Sequence, residues 1–123
     1  MIKTRKTDAG WDIIADHDAI VSNAAVTPIH TGDFGEIPVG HVGIIKGRSG
    51  LALKHGIFVL GGVVDSFYTG ELVVLLSKVG DEPFPVKKGD KVAQMCVLPL
   101  SAWEPGLSSD RGDKGFGSSG VAA

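Results

Sequence analysis

Asp65 and Tyr68 stand three residues apart in segment 61–71, which reads Gly-Gly-Val-Val-Asp-Ser-Phe-Tyr-Thr-Gly-Glu. Two β-branched residues run into Asp65, and Thr69-Gly70 closes the segment before an apolar run. That order predicts a β-hairpin with a carboxylate and an aromatic ring near its bend. Gly61 and Gly62 carry no Cβ, so the backbone before Asp65 could lie flat against a bound molecule. An ordinary hairpin tip explains the same residues, because Asp and Tyr are common near turns. Arg48-Ser49-Gly50 offers a guanidinium able to make paired bonds to phosphate. Its hydroxyl and backbone N–H groups can donate to phosphate oxygens. A polar turn leading into Leu51 is the plainer reading. Gln94 lies in the otherwise apolar run 92–98. A buried amide must find partners or it costs stability. His17, between Asp16 and Asp18, reads as a solvated turn, since no further metal ligands stand at suitable spacing.

The elements that must position these residues are short. Residues 13–15 are apolar, and 19–29 alternate weakly as a strand ending at Pro28. Residues 31–33 read as a turn, and 34–39, with Pro38, as at best an edge strand. Residues 41–46 alternate and end at Gly47. Residues 51–55 suit one helical turn. Residues 56–64 are strand-like and rich in β-branched side chains, and 72–76 are fully apolar. Residues 80–85 read as a loop and 87–90 as a turn, and 91–98 are the last strong strand. Many short strands with regular turn signals predict an all-β sandwich or barrel. From residue 104 the chain turns to Pro, Gly, Ser and charge, a composition that cannot stay ordered alone.

The 123 residues suit one domain. Gly 18 points to many turns. A net charge of −2 argues against a general nucleic-acid or membrane-surface binder, which would need a basic face. The single cysteine, Cys96, excludes a disulfide within the chain and suits a reducing compartment; it reads as a small core residue. The first residues are charged with no apolar core behind them, unlike a secretory signal. No stretch approaches the roughly 20 apolar residues of a membrane span. A soluble protein of the cytoplasm or another reducing intracellular compartment is expected.

The tail then reads Asp110-Arg111-Gly112-Asp113-Lys114-Gly115-Phe116-Gly117-Ser118-Ser119-Gly120. Together with Ala9-Gly10-Trp11-Asp12, Gly47-Arg48-Ser49-Gly50-Leu51-Ala52, the Asp65 segment and Gly89-Asp90-Lys91-Val92-Ala93-Gln94, it resembles the homotrimeric deoxyuridine triphosphatases, or dUTPases. The five motifs stand in that family's order and span nearly the whole chain. The resemblance implies a jelly-roll β-barrel over 1–103 and a flexible C-terminal arm over 104–123 that closes over an active site. It also implies a homotrimer with shared active sites. The implied reaction is dUTP and water giving dUMP and pyrophosphate, which keeps uracil out of DNA and supplies dUMP for thymidylate synthesis.

The resemblance also assigns roles. Asp65 orients and deprotonates the attacking water. A free Asp has a pKa of about 3.9, so it is a weak base near neutral pH, and phosphate neutralisation must supply much of the catalysis. Arg48, Ser49, Gly50 and Gln94 meet phosphate. Backbone around Gly62, Val64 and Val73 reads uracil, and Tyr68 lies under the sugar, leaving no space for a 2′-hydroxyl. Phe116 and Gly117 cover the base, and Arg111 and Ser118 engage the distal phosphates. Asp12 meets a hydrated Mg²⁺ through water. Phe67 and Trp11 depart from the more usual family residues. A dCTP deaminase-like enzyme shares the fold and phosphate motifs, but its acid-base glutamate motif is not found here. A non-catalytic nucleotide-binding module is the other alternative.

Overall fold

Strands form where aliphatic and β-branched residues run between glycine and proline breaks. In the structure, a computed structural model describing residues 1–103 and 105, they are β1 (Trp11–Ile14), β2 (Ala19–Val21), β3 (Thr27–Phe34), β4 (His41–Lys46), β5 (Ile57–Leu60), β6 (Val63–Val64), β7 (Glu71–Lys78), β8 (Phe84–Val86) and β9 (Lys91–Pro99). One short helix, α1 (Ser49–His55), ends on Gly56, whose φ of 66° gives the left-handed cap. The strands pair as three antiparallel sheets, ordered β1-β9-β4-β6, β3-β7-β5 and β2-β8. The expected all-β jelly roll is thus present, with sheets that do not close into one continuous ladder. Ile13, Ile45, Ala93 and Met95 from the four-stranded sheet pack with Ile29, Leu72, Val74 and Leu76 from the three-stranded one. Among the described residues no helix is long and apolar enough to cross a membrane.

Four local expectations are corrected. Pro28 does not end a strand. It lies inside β3, opposite Leu75. β3 is an edge strand, so a missing N–H there need cost no ladder bond. Residues 31–33 are not a turn but a bulge in β3, where the register against β7 slips between His30 and Phe34 and Gly32 takes a φ of 72°. Beyond Phe34, residues 35–39 form no strand. Residues 84–85, read as loop, belong to β8 and pair with β2.

The hairpin is also less simple than its sequence. β5 and β7 do pair, from Ile57 opposite Lys78 to Leu60 opposite Leu75. The connection between them leaves that sheet: Gly61 and Gly62, with φ of 65° and 109°, swing the chain so that β6 joins β4 instead. The Ile45 N–H donates to the Gly62 carbonyl at 2.7 Å. A Cβ on Gly62 would lie 2.6 Å from the Ile45 carbonyl oxygen. Both the dihedral and the backbone contact therefore require glycine. Gly62→Ala is expected to destabilise the fold by about 1–3 kcal/mol, read as a lower midpoint in thermal unfolding. An unchanged midpoint would show that this turn bears no strain.

Candidate active site

Asp65 opens a tight turn in which the Tyr68 N–H donates to the Asp65 carbonyl at 3.1 Å. The Asp65 side chain is exposed, and among the described residues no hydrogen bond or ion pair holds it. Gly62, Val64, Asp65, Tyr68 and Val73 line one pocket of about 230 Å³. On β7, alternation buries Leu72 and Val74 and turns Val73 and Leu75 outward. Those outward apolar residues wall the pocket, which explains a strand apolar on both faces. The volume lies below the roughly 300–1,000 Å³ typical of sites for drug-sized ligands.

Tyr68 is held tightly for a half-exposed residue. Its hydroxyl donates to the Glu71 carbonyl at 2.5 Å. The Glu71 carboxylate in turn accepts from His30 Nδ1 at 2.8 Å and from the Gly32 N–H at 3.0 Å. The His30 bond, then the Gly32 bond, hold the Glu71 pKa below its ordinary value. A depressed carboxyl pKa adds stability that is complete above the unfolded-state value and is lost as pH falls through the folded one. The staple is therefore formed at neutral pH and released by acid. His17 is not simply solvated: its Nε2 accepts the His30 N–H at 2.9 Å, which requires its Nδ1–H to donate to the Asp18 carbonyl, also at 2.9 Å.

A second cleft, of about 630 Å³, gathers Asp12, Arg48, Ser49, Gly50 and Gln94. Strand register makes this arrangement. Gln94 on β9 stands opposite Asp12 on β1 and Lys46 on β4, so side chains from both neighbours rise beside it. The Gln94 amide donates to the Gly47 carbonyl at 3.0 Å, satisfying the partner requirement. It lies against Gly10, where a Cβ would come within 2.6 Å of Gln94 Oε1. Arg48 donates to the Lys91 carbonyl at 3.2 Å. Asp12 faces Lys91 Nζ at 3.4 Å. Arg5, Asp8, Lys54 and His55 also line this cleft, though none belongs to the motifs of the sequence. Lys54 and His55 complete the last turn of α1, where cations suit the helix dipole. No motif in the sequence marks them as a wall of the cleft.

The two clefts share no lining residue. A third hollow, about 420 Å³, touches Arg48, Ser49 and Gln94 on one side and Gly62 and Val63 on the other, but neither Asp65 nor Tyr68. The sequence-derived site is therefore brought together as two groups, not one. Arg111, Phe116, Gly117 and Ser118 lie outside the described residues.

A family model described as dUTPase matches residues 1–120. The deoxyuridine 5′-triphosphate nucleotidohydrolase of Sinorhizobium medicae is 42% identical over 93% of this chain and 78% of its own. That of Eremothecium gossypii is 40% identical over 91% and 77%. Among solved structures, a mutant dUTPase from phage phi11 of S. aureus, described with a structural Mg(II) ion, superposes with a TM-score of 0.75 at 25% identity, covering 88% of this chain and 86% of its own. A mutant of the Staphylococcus bacteriophage 80alpha dUTPase with dUpNHpp gives 0.73 at 28% identity, covering 98% and 90%. A match along nearly the whole length, with relatives at this identity, places the chain in the dUTPase family.

Proposed function

We propose that this chain hydrolyses dUTP to dUMP and pyrophosphate, in active sites that neighbouring copies complete. The observation that carries the proposal is the division of the site: a small pocket with a carboxylate that has no partner among the described residues, and a larger, separate cleft lined by Arg48, Ser49, Gly50 and Gln94. The pocket takes uracil and deoxyribose, with Gly62, Val64 and Val73 meeting the base and Tyr68 under the sugar. The Gly62 carbonyl already accepts one bond and keeps one lone pair for a ligand. Arg48, Ser49, Gly50 and Gln94 of another copy bind the phosphates. Exposed apolar side chains around Trp11 and Phe34 offer surface for such contacts, consistent with a homotrimer. Residues 104–123, with Arg111, Phe116, Gly117 and Ser118, serve as an arm over the bound nucleotide.

Water, aligned by Asp65, attacks the α-phosphorus. A new P–O bond forms as the bridging bond to the β-phosphate breaks, and pyrophosphate leaves. Asp65 accepts the water proton. Positioning and charge stabilisation supply most of the acceleration. Among the described residues no group of three or more His, Cys, Asp or Glu forms a metal cage. Mg²⁺ usually keeps several waters and binds one or two carboxylates plus substrate phosphates. Asp12, with Asp8 in the same cleft, fits such a substrate-borne ion, whose contribution when bound is to neutralise phosphate charge. The test is a nucleotide panel with Mg²⁺. Pyrophosphate release is expected from dUTP and not from dCTP or dTTP. Ammonia released from dCTP would overturn the assignment.

A further inference from the structure

The best-supported group outside the reacting residues lies behind Tyr68. Between His30 and Phe34 the pairing of β3 with β7 is interrupted by the bulge. Side chains bridge the gap. Thr31 Oγ1 donates to the Leu72 carbonyl at 2.6 Å, and the Glu71 carboxylate spans from His30 Nδ1 to the Gly32 N–H. The carbonyl of the same Glu71 anchors the Tyr68 hydroxyl. The ring is half exposed and is flanked by two glycines that leave it room. A Cβ on Gly70 would stand 2.6 Å from its hydroxyl oxygen, and one on Gly35 would stand 2.9 Å from its Cδ2. His30 is itself fixed through its backbone: its N–H bonds His17 and its carbonyl accepts the Asp16 N–H at 2.9 Å. Its ring lies 5.5 Å from that of His17. Titratable groups set around the staple include His17, Asp16 beside Gly32, Glu71, and Asp33, whose N–H bonds Thr31 Oγ1 on the same bulge.

We propose that His30 is a positioning residue for sugar selectivity: by pinning the Glu71 carboxylate to the β3 bulge, it fixes Tyr68 where a 2′-hydroxyl would have to fit. The proposal rests on reading the small pocket as the nucleoside end of a dUTP site. Removing the imidazole leaves the Glu71 carboxylate only the backbone N–H groups of the bulge, chiefly that of Gly32. The start of β7 and the Tyr68 ring then gain freedom, and a ribose is admitted. His30 touches no substrate atom in this arrangement.

The experiment compares wild type, His30→Ala and His30→Asn for dUTP and UTP, as kcat/KM and as Kd. The Asn amide nitrogen stands close to where Nδ1 stands. His30→Ala is expected to lower the preference for dUTP over UTP about tenfold, and His30→Asn to restore it to within about threefold. The chain has one tyrosine, so ring-labelled 13C-tyrosine reports Tyr68 alone by NMR. Its signals should shift and broaden in His30→Ala and recover in His30→Asn. An unchanged preference in folded His30→Ala overturns the proposal, whatever the tyrosine signals do. If wild type binds dUTP over UTP without hydrolysing it, the hydrolase reading falls while the Kd ratio and tyrosine signals still decide the role of His30. If wild type shows no preference in rate or affinity, both fall.

Discussion

Asp65→Asn should lose dUTP hydrolysis by about 10²–10⁴-fold, the usual weight of a positioned acid-base group, while binding dUTP at least as well as wild type. The substitution keeps the shape and removes the charge and the proton acceptor. Its structural cost is small, because the turn is closed through the Asp65 backbone carbonyl and not its side chain. Among the described residues nothing depends on the carboxylate as a partner. Binding should hold or tighten, since a negative charge facing a polyanion is removed. The loss should therefore appear in kcat, with KM unchanged or lower, the pattern of an interaction made only in the transition state. Hydrolysis within a few-fold of wild type would mean that some other group aligns the water.

The parts of the fold set by local pattern were legible in the sequence. Alternation over 41–46 and the apolar run to 98 correspond to β4 and β9 almost residue for residue. The helical turn at 51–55 is the end of α1, closed by the glycine that follows it. The failures arose where tertiary pairing overrides local signals. Thr31-Gly32-Asp33 has turn chemistry, yet β7 keeps it in a sheet as a bulge. Pro28 has breaker chemistry, yet an edge position tolerates it. Residues 63–64 read as one strand with 57–60, yet two positive-φ glycines send them to another sheet.

The site was legible to a similar depth. Motif residues were identified one by one, and all of those described line one of two clefts. Their division was not visible, because nothing in a linear order says which motif faces which cleft. The His30–Glu71 staple joins residues 41 apart in the chain. Neither residue lies in a pattern that signals the other. Gly10 belongs to a sequence motif, but its reason, room for the Gln94 amide, is a property of packing.

The division of the site makes the most direct measurement a mixing experiment. Asp65→Asn disables the small pocket and leaves the larger cleft intact. Ser49→Ala combined with Gln94→Ala does the reverse. Each assembly alone should be nearly inactive. In a ring of three where every site joins the pocket of one copy to the cleft of the next, every mixed ring contains one intact junction, so random equal mixing should restore about a quarter of wild-type activity. The comparison is made after co-refolding the two variants at equal concentration and measuring pyrophosphate release from dUTP with Mg²⁺. Recovery near that fraction is the predicted result. Activity no greater than the sum of the two parents, in preparations shown to contain mixed assemblies, would mean that each site is built from a single chain and would contradict the account.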